Sequence, residues 1–130
     1  MNRSPIPEDL RRFVLTSIPS VPFLEALLLL RANPGQQWSG EMLAGRLYTS
    51  ERTAHGLLDD LCRSGMAEPC PAPDAHNYCY APASEALRER IDGLAELYAR
   101  NLVDVTNLIH STLDRKAQQF ADAFRLRKDP

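Results

Sequence analysis

A chain of 130 residues is long enough for one domain with a real core and too short for two comfortable ones. Hydrophobic content of 44% beside 25% charged residues excludes wholesale disorder. The formal charge of −2, from 15 basic and 17 acidic residues, withholds the strongest compositional sign of nucleic-acid binding, although both chain ends are net basic.

Residues 1–7 hold two prolines and little else, so the first few are expected to be loose. Glu8 to Ile18 reads as a short helix, with Leu10, Phe13, Val14 and Leu15 apolar and an acidic start that suits the positive end of a helix dipole. Pro19-Ser20-Val21-Pro22 stops it, and Ser20 caps a second helix from Val21 to Ala32. That helix is apolar round most of its circumference and should be the central core rod. Its run Leu27–Leu30 is closed off by Glu25 and Arg31, far below the roughly 20 residues a membrane span needs. Asn33-Pro34-Gly35 ends it.

Gln36 to Trp38 forms a short extended link. Ser39 then caps a helix whose stripe is Met42, Leu43 and Leu47, and Tyr48-Thr49-Ser50 breaks the pattern, with Thr49 or Ser50 as the next cap. Ala54, Leu57, Leu58 and Leu61 follow at helical spacing, and Gly65 stands where a helix needs a left-handed residue to stop. Two short helices joined by a tight turn make a helix-turn-helix, whose second helix would run from about Glu51 to Ser64. Residues 66–70 and 77–81 read as two strands of a hairpin, with turn chemistry between them and Pro69 marking the first as an edge.

From Ser84 the pattern is helical again. In heptads, Leu87, Leu94, Asn101 and Leu108 fall at one seam position and Ile91, Tyr98, Val105 and Thr112 at the other. Asn101 is either a buried polar residue that sets register or the point where two helices part. Residues 114–128 read as a last amphipathic helix, with Ala117, Phe120, Ala121 and Phe124 on its apolar face among Arg115, Lys116, Arg125, Arg127 and Lys128.

This order of elements, and above all the stretch WSGEMLAGRLYTSERTAHGLLDDLCRSGMAE, resembles the winged helix-turn-helix domain, and most closely transcriptional regulators of the MarR type. The resemblance covers residues 20–82. It implies a mainly α fold with a small β-hairpin, an N-terminal helical arm over 1–19 and a C-terminal helical extension over 83–130 that makes a homodimer. It also implies a DNA-binding regulator of transcription with double-stranded DNA as partner; the cysteine usage and the lack of a signal-peptide pattern point to a cytoplasmic protein. The groove-facing positions would be Ser50, Glu51, Arg52, Thr53, His55 and Gly56, and the wing tip Asp74 to Asn77. Carried over to this chain, the DNA-contacting set is Thr49, Ser50, Arg52, Thr53, His55 and Asn77.

The charge pattern departs from that family. The recognition helix carries Glu51, Asp59 and Asp60 beside Arg52 and His55, and the wing has no Lys or Arg. A second reading therefore stands beside the first: a winged-helix module that binds protein through this acidic face. Ligand sensing at the dimer interface is a third, with no residue to specify it. Arg52 itself is as well explained by a solvated helix start paired with nearby acids.

Cys62, Cys70, His76 and Cys79 match no zinc spacing, so no metal or other cofactor is expected, and Cys62 on an apolar face reads as a small core residue. If the hairpin forms, Cys70 and Cys79 lie near each other across it. An odd number of cysteines without a CxxC pair fits reduced thiols, and no cation sits nearby to activate one as a redox switch. His55, His76 and His110 are scattered and no carboxylate pair or Gly-rich loop follows a strand, so no enzyme is expected. Trp38, Tyr78 and Tyr80 read as core cover rather than a ligand pocket.

Overall fold

The computed structural model describes residues 6–71 and 76–128, with side chains described through 123. The expected loose start at 1–5 and the hairpin tip at 72–75, which includes Asp74, lie outside the described residues. Six helices and one two-stranded antiparallel sheet make up the described chain: α1 (Glu8–Ser17), α2 (Val21–Ala32), α3 (Gly40–Leu47), α4 (Glu51–Arg63), β1 (Ala67–Pro69), β2 (Tyr78–Tyr80), α5 (Glu85–Arg100) and α6 (Leu102–Lys128).

Serine hydroxyls start four of these helices. Ser20 accepts from the Phe23 amide, Ser39 from Met42, Ser50 from Thr53 and Ser84 from Leu87. Each satisfies one amide that the first helical turn leaves without an intrahelical partner. α4 ends on Gly65, whose φ of +75° is the left-handed conformation that glycine adopts without a steric cost.

α2 is the central rod. Phe23, Leu24, Ala26, Leu27 and Leu30 are buried, and α3, α4 and β2 pack on it. α4 contributes Ala54, Leu57, Leu58 and Leu61 to the same core, and Trp38 is fully enclosed. α1, α5 and α6 close the other side, with Ile91, Leu94, Leu97, Val105, Leu108 and Ile109 buried. Two ion pairs tie α5 to its neighbours, Arg31 to Asp92 from α2 and Arg90 to Asp9 from α1. No single helix among the described residues is long and apolar enough to cross a membrane.

The sheet pairs Ala67 with Tyr80, Glu68 with Cys79 and Pro69 with Tyr78. Trp38 bridges to the other side of β2, exchanging two backbone hydrogen bonds of 2.8 Å with Tyr78. β2 is therefore held on both sides, and β1 is the outer strand, as Pro69 requires.

Two expectations are corrected here, at Met42 and at residue 114, and the alternative left open at Asn101 is decided. Met42 is exposed, because Leu43 and Ala44 give α3 its buried side. Of the two alternatives at Asn101 the second holds: the helical run from Ser84 parts there, at a half-buried residue with φ −131° and ψ 54° that caps α5. No boundary falls near residue 114, since α6 continues from Leu102 to Lys128. On its outer turns Ala117, Phe120 and Ala121 are exposed, and the side chains of Phe124, Arg125, Arg127 and Lys128 lie outside the described ones.

Candidate functional site

The helical period that buries Ala54, Leu57, Leu58 and Leu61 turns the other side of α4 outward. Ser50, Glu51, Arg52, Thr53 and His55 are exposed there, and Gly56 is half-buried. Gly40, at the start of α3, permits close approach to this helix. A Cβ at that position would lie 3.4 Å from the His55 Cβ.

The hairpin supplies the facing wall. Glu51, Arg52 and His55 of α4, Ser39, Gly40 and Glu41 of α3, and His76 and Asn77 of the hairpin line one open cleft of about 540 Å3. Three of the six expected contact residues, Arg52, His55 and Asn77, thus meet in one place. Thr49, Ser50 and Thr53 do not line the cleft. Thr49 is half-buried, its amide bonded to the Ala44 carbonyl at 3.1 Å. The Ser50 hydroxyl donates to Thr53 Oγ1 at 2.9 Å. Arg52 makes no ion pair among the described residues, and the Asn77 amide donates to Gln37 Oε1 at 3.3 Å.

Two of the acids on α4 are already engaged. The Tyr78 phenol donates to Asp59 at 2.6 Å, and His55 Nδ1 lies 3.4 Å from the same carboxylate. The rings of His55 and Tyr78 meet edge to face at 6.1 Å. Asp60 pairs with Arg63. The hydrogen bond to Asp59, with burial and the carboxylate charge adding to it, pushes the Tyr78 phenol up to about 12. Among the described residues, the charges in the cleft without such partners are Glu41, Glu51 and Arg52.

A second surface lies at the α3–α4 turn. Tyr48 is the one non-glycine residue at positive φ among the described residues (φ 56°), and its side chain is 96% exposed. With Leu28, Leu29, Leu47, Tyr98, Glu25 and Arg46 it lines an apolar groove of about 410 Å3. Nothing in the spacing of the turn pointed to this conformation.

The cysteines also differ from expectation. Cys70 and Cys79 are joined in a disulfide, with Cα atoms 5.8 Å apart, rather than held as thiols. The hairpin register brings them together, diagonally across the sheet, within the range a disulfide spans. Cys62 is the free cysteine and is half-buried at the edge of the core, not within it. Burial, with Asp59 and Glu68 adding negative charge nearby, pushes its thiol up from the ordinary value. No group of His, Cys, Asp and Glu among the described residues is arranged to hold a metal ion. No protein-family model, curated protein or solved structure matches the chain.

Proposed function

We propose that the chain is a DNA-binding transcriptional regulator of the winged helix-turn-helix class, similar to the MarR type. α3 and α4 are its helix-turn-helix, α4 the recognition helix, and the β1–β2 hairpin the wing. One observation carries this reading: the outward face of α4 and the base of the hairpin meet in a single open cleft that presents Arg52, His55, His76 and Asn77 together. A helix flanked by a hairpin loop is the shape that enters a major groove while a second element reaches the adjoining backbone. The acidity of α4 weighs less against this than its sequence suggests, because Tyr78 and His55 hold Asp59 and Arg63 holds Asp60. Two copies associate through α6, a 27-residue helix whose Leu102, Val103 and Leu113 are exposed. The heptad positions Ile91, Leu94, Val105 and Leu108 are spent on the chain's own core and are not that interface. We place the regulator in the cytoplasm.

The test is fluorescence anisotropy with DNA from upstream of its own gene across a salt series. Affinity should fall steeply with salt, and Arg52→Ala should weaken binding at every sequence and lower the salt slope by about 1. Binding that does not depend on salt would sink the proposal.

The second reading, a protein-interaction module without DNA binding, is favoured by Tyr48 beside its apolar groove. Under it, DNA binds no better than to a neutral control protein at low salt, and Tyr48→Ala abolishes capture of a stoichiometric partner.

A further inference from the structure

The groove beside the α3–α4 turn has a floor of half-buried apolar side chains, Leu28 and Leu29 of α2, Leu47 of α3 and Tyr98 of α5. Tyr48 stands beside that floor, on a left-handed backbone and with 96% of its side chain exposed. An L residue holds this conformation only against a steric cost, and a ring so exposed packs little within its own chain to offset it. An exposed aromatic ring next to an apolar recess is the composition of a protein contact. The charges of the groove are of both signs. Glu25, exposed on α2, lies near Tyr98; burial first, and the Glu25 charge after it, push that phenol up from its ordinary value. Arg46, exposed on α3, lies with its guanidinium over the Trp38 ring, 5.8 Å from the centroid. One patch therefore offers a projecting ring and a recess, an acid and a base.

We propose that this groove is a contact between two copies of the chain related by a two-fold axis. Each Tyr48 ring sits on the Leu28, Leu29 and Tyr98 floor of the other copy, and each Glu25 faces Arg46 of the other copy. A two-fold interface uses the same patch twice, so the patch must complement itself. What projects from one copy has to meet a recess on the other, and each charge has to meet its opposite. A partner of different sequence imposes no such condition; a groove of one sign would serve it equally well. The seven residues of the groove fall short of the roughly 20–30 a side in a standard interface, so the association is weak and set by protein concentration. Leu102, Val103 and Leu113, which carry the contact through α6 proposed above, do not line the groove. The two contacts are separate, and neither needs DNA.

Sedimentation velocity of the full chain across a concentration series tests this, with circular dichroism to check that each variant is folded. Tyr48→Ala should raise the concentration at half-association about tenfold or more, the loss expected when a central aromatic anchor is cut away. Glu25→Arg sets arginine against arginine across the axis, and Arg46→Glu sets glutamate against glutamate. Each alone should weaken association about tenfold. Mixed in equal amounts the two variants should associate as well as the unaltered chain, because every pair across the axis is then Arg against Glu. The double variant Glu25→Arg/Arg46→Glu, whose net charge is unchanged, should associate with itself as the unaltered chain does. Association that is identical in the unaltered chain and in Tyr48→Ala overturns the proposal. So does a mixture or a double variant that recovers nothing. If the unaltered chain shows no association through the groove while Tyr48→Ala abolishes capture of a protein of different sequence, the groove belongs to that protein and the proposal is overturned. Loss of the DNA-binding reading in the anisotropy experiment leaves each of these outcomes as it stands, so the two fail separately.

Discussion

Tyr78 and Asp59 join the hairpin to α4 through a single hydrogen bond of 2.6 Å, from phenol to carboxylate. The same tyrosine is bonded through its backbone to Trp38 and touches the ring of His55. Hairpin, link and helix are thereby set relative to one another by one residue. Tyr78→Phe keeps the ring and removes the bond. It should cost about 1 kcal/mol in chemical denaturation, at the low end for a bond to a charged group because the site is partly solvated.

The same bond gives a pH signature. Tyr78 is raised from its ordinary value near 10 to about 12 in the folded chain, so folding favours the neutral phenol. Its contribution is fully present below about pH 10 and is lost as pH rises towards 12. Absorbance near 295 nm should show one of the four tyrosines titrating last, and Tyr78→Phe should remove that step.

Tyr48 holds a left-handed backbone that costs a side-chain-bearing residue about 1 kcal/mol or more. Its side chain is almost wholly exposed, so little packing offsets that cost. Tyr48→Gly should therefore be neutral or stabilising by up to about 1 kcal/mol, the relief of strain set against the greater freedom of glycine in the unfolded chain. Thermal melts decide it. A loss above 1 kcal/mol would mean the ring packs more than its exposure allows.

Gly65 is the converse case. It has the same handedness, and a Cβ there would also meet the Ala83 Cβ at 3.3 Å. Gly65→Ala should destabilise by about 1–2 kcal/mol. The amides of Gly65 and Met66 that close α4 should lose exchange protection first.

Leu58 is fully enclosed between α4 and the rod. Leu58→Ala should cost about 2–5 kcal/mol, enough to unfold a marginal domain at 37 °C. Ser50→Ala, which removes the cap and the bond to Thr53 Oγ1, should cost about 1 kcal/mol in the same denaturation experiment.

Local signals carried most of the fold. Ser20, Ser39, Ser50 and Ser84 each precede an apolar helical stripe, and a hydroxyl at that position does one recognisable thing. The limits of α2 and the outward side of α4 follow from period and punctuation alone. What escaped depends on distant neighbours. Whether Met42 or Ala44 faces inward is decided by where α4 lies, not by α3. The bond between Cys70 and Cys79 needs the register of the hairpin, which an odd cysteine count obscures. Asp59 looks like a bare surface acid until Tyr78, 19 positions on, is placed against it. The continuity of α6 past Asp114 was hidden because Ile109 is the last fully buried residue among those described while the helical backbone runs on.

The composition of β1 has a bearing on solubility. An outer strand normally offers its free amides to any extended chain that drifts past, which is how sheets grow into fibrils. Here that margin is three residues long, one of them a proline without an amide hydrogen and another an exposed glutamate. A hairpin guarded in this way does not recruit copies of itself.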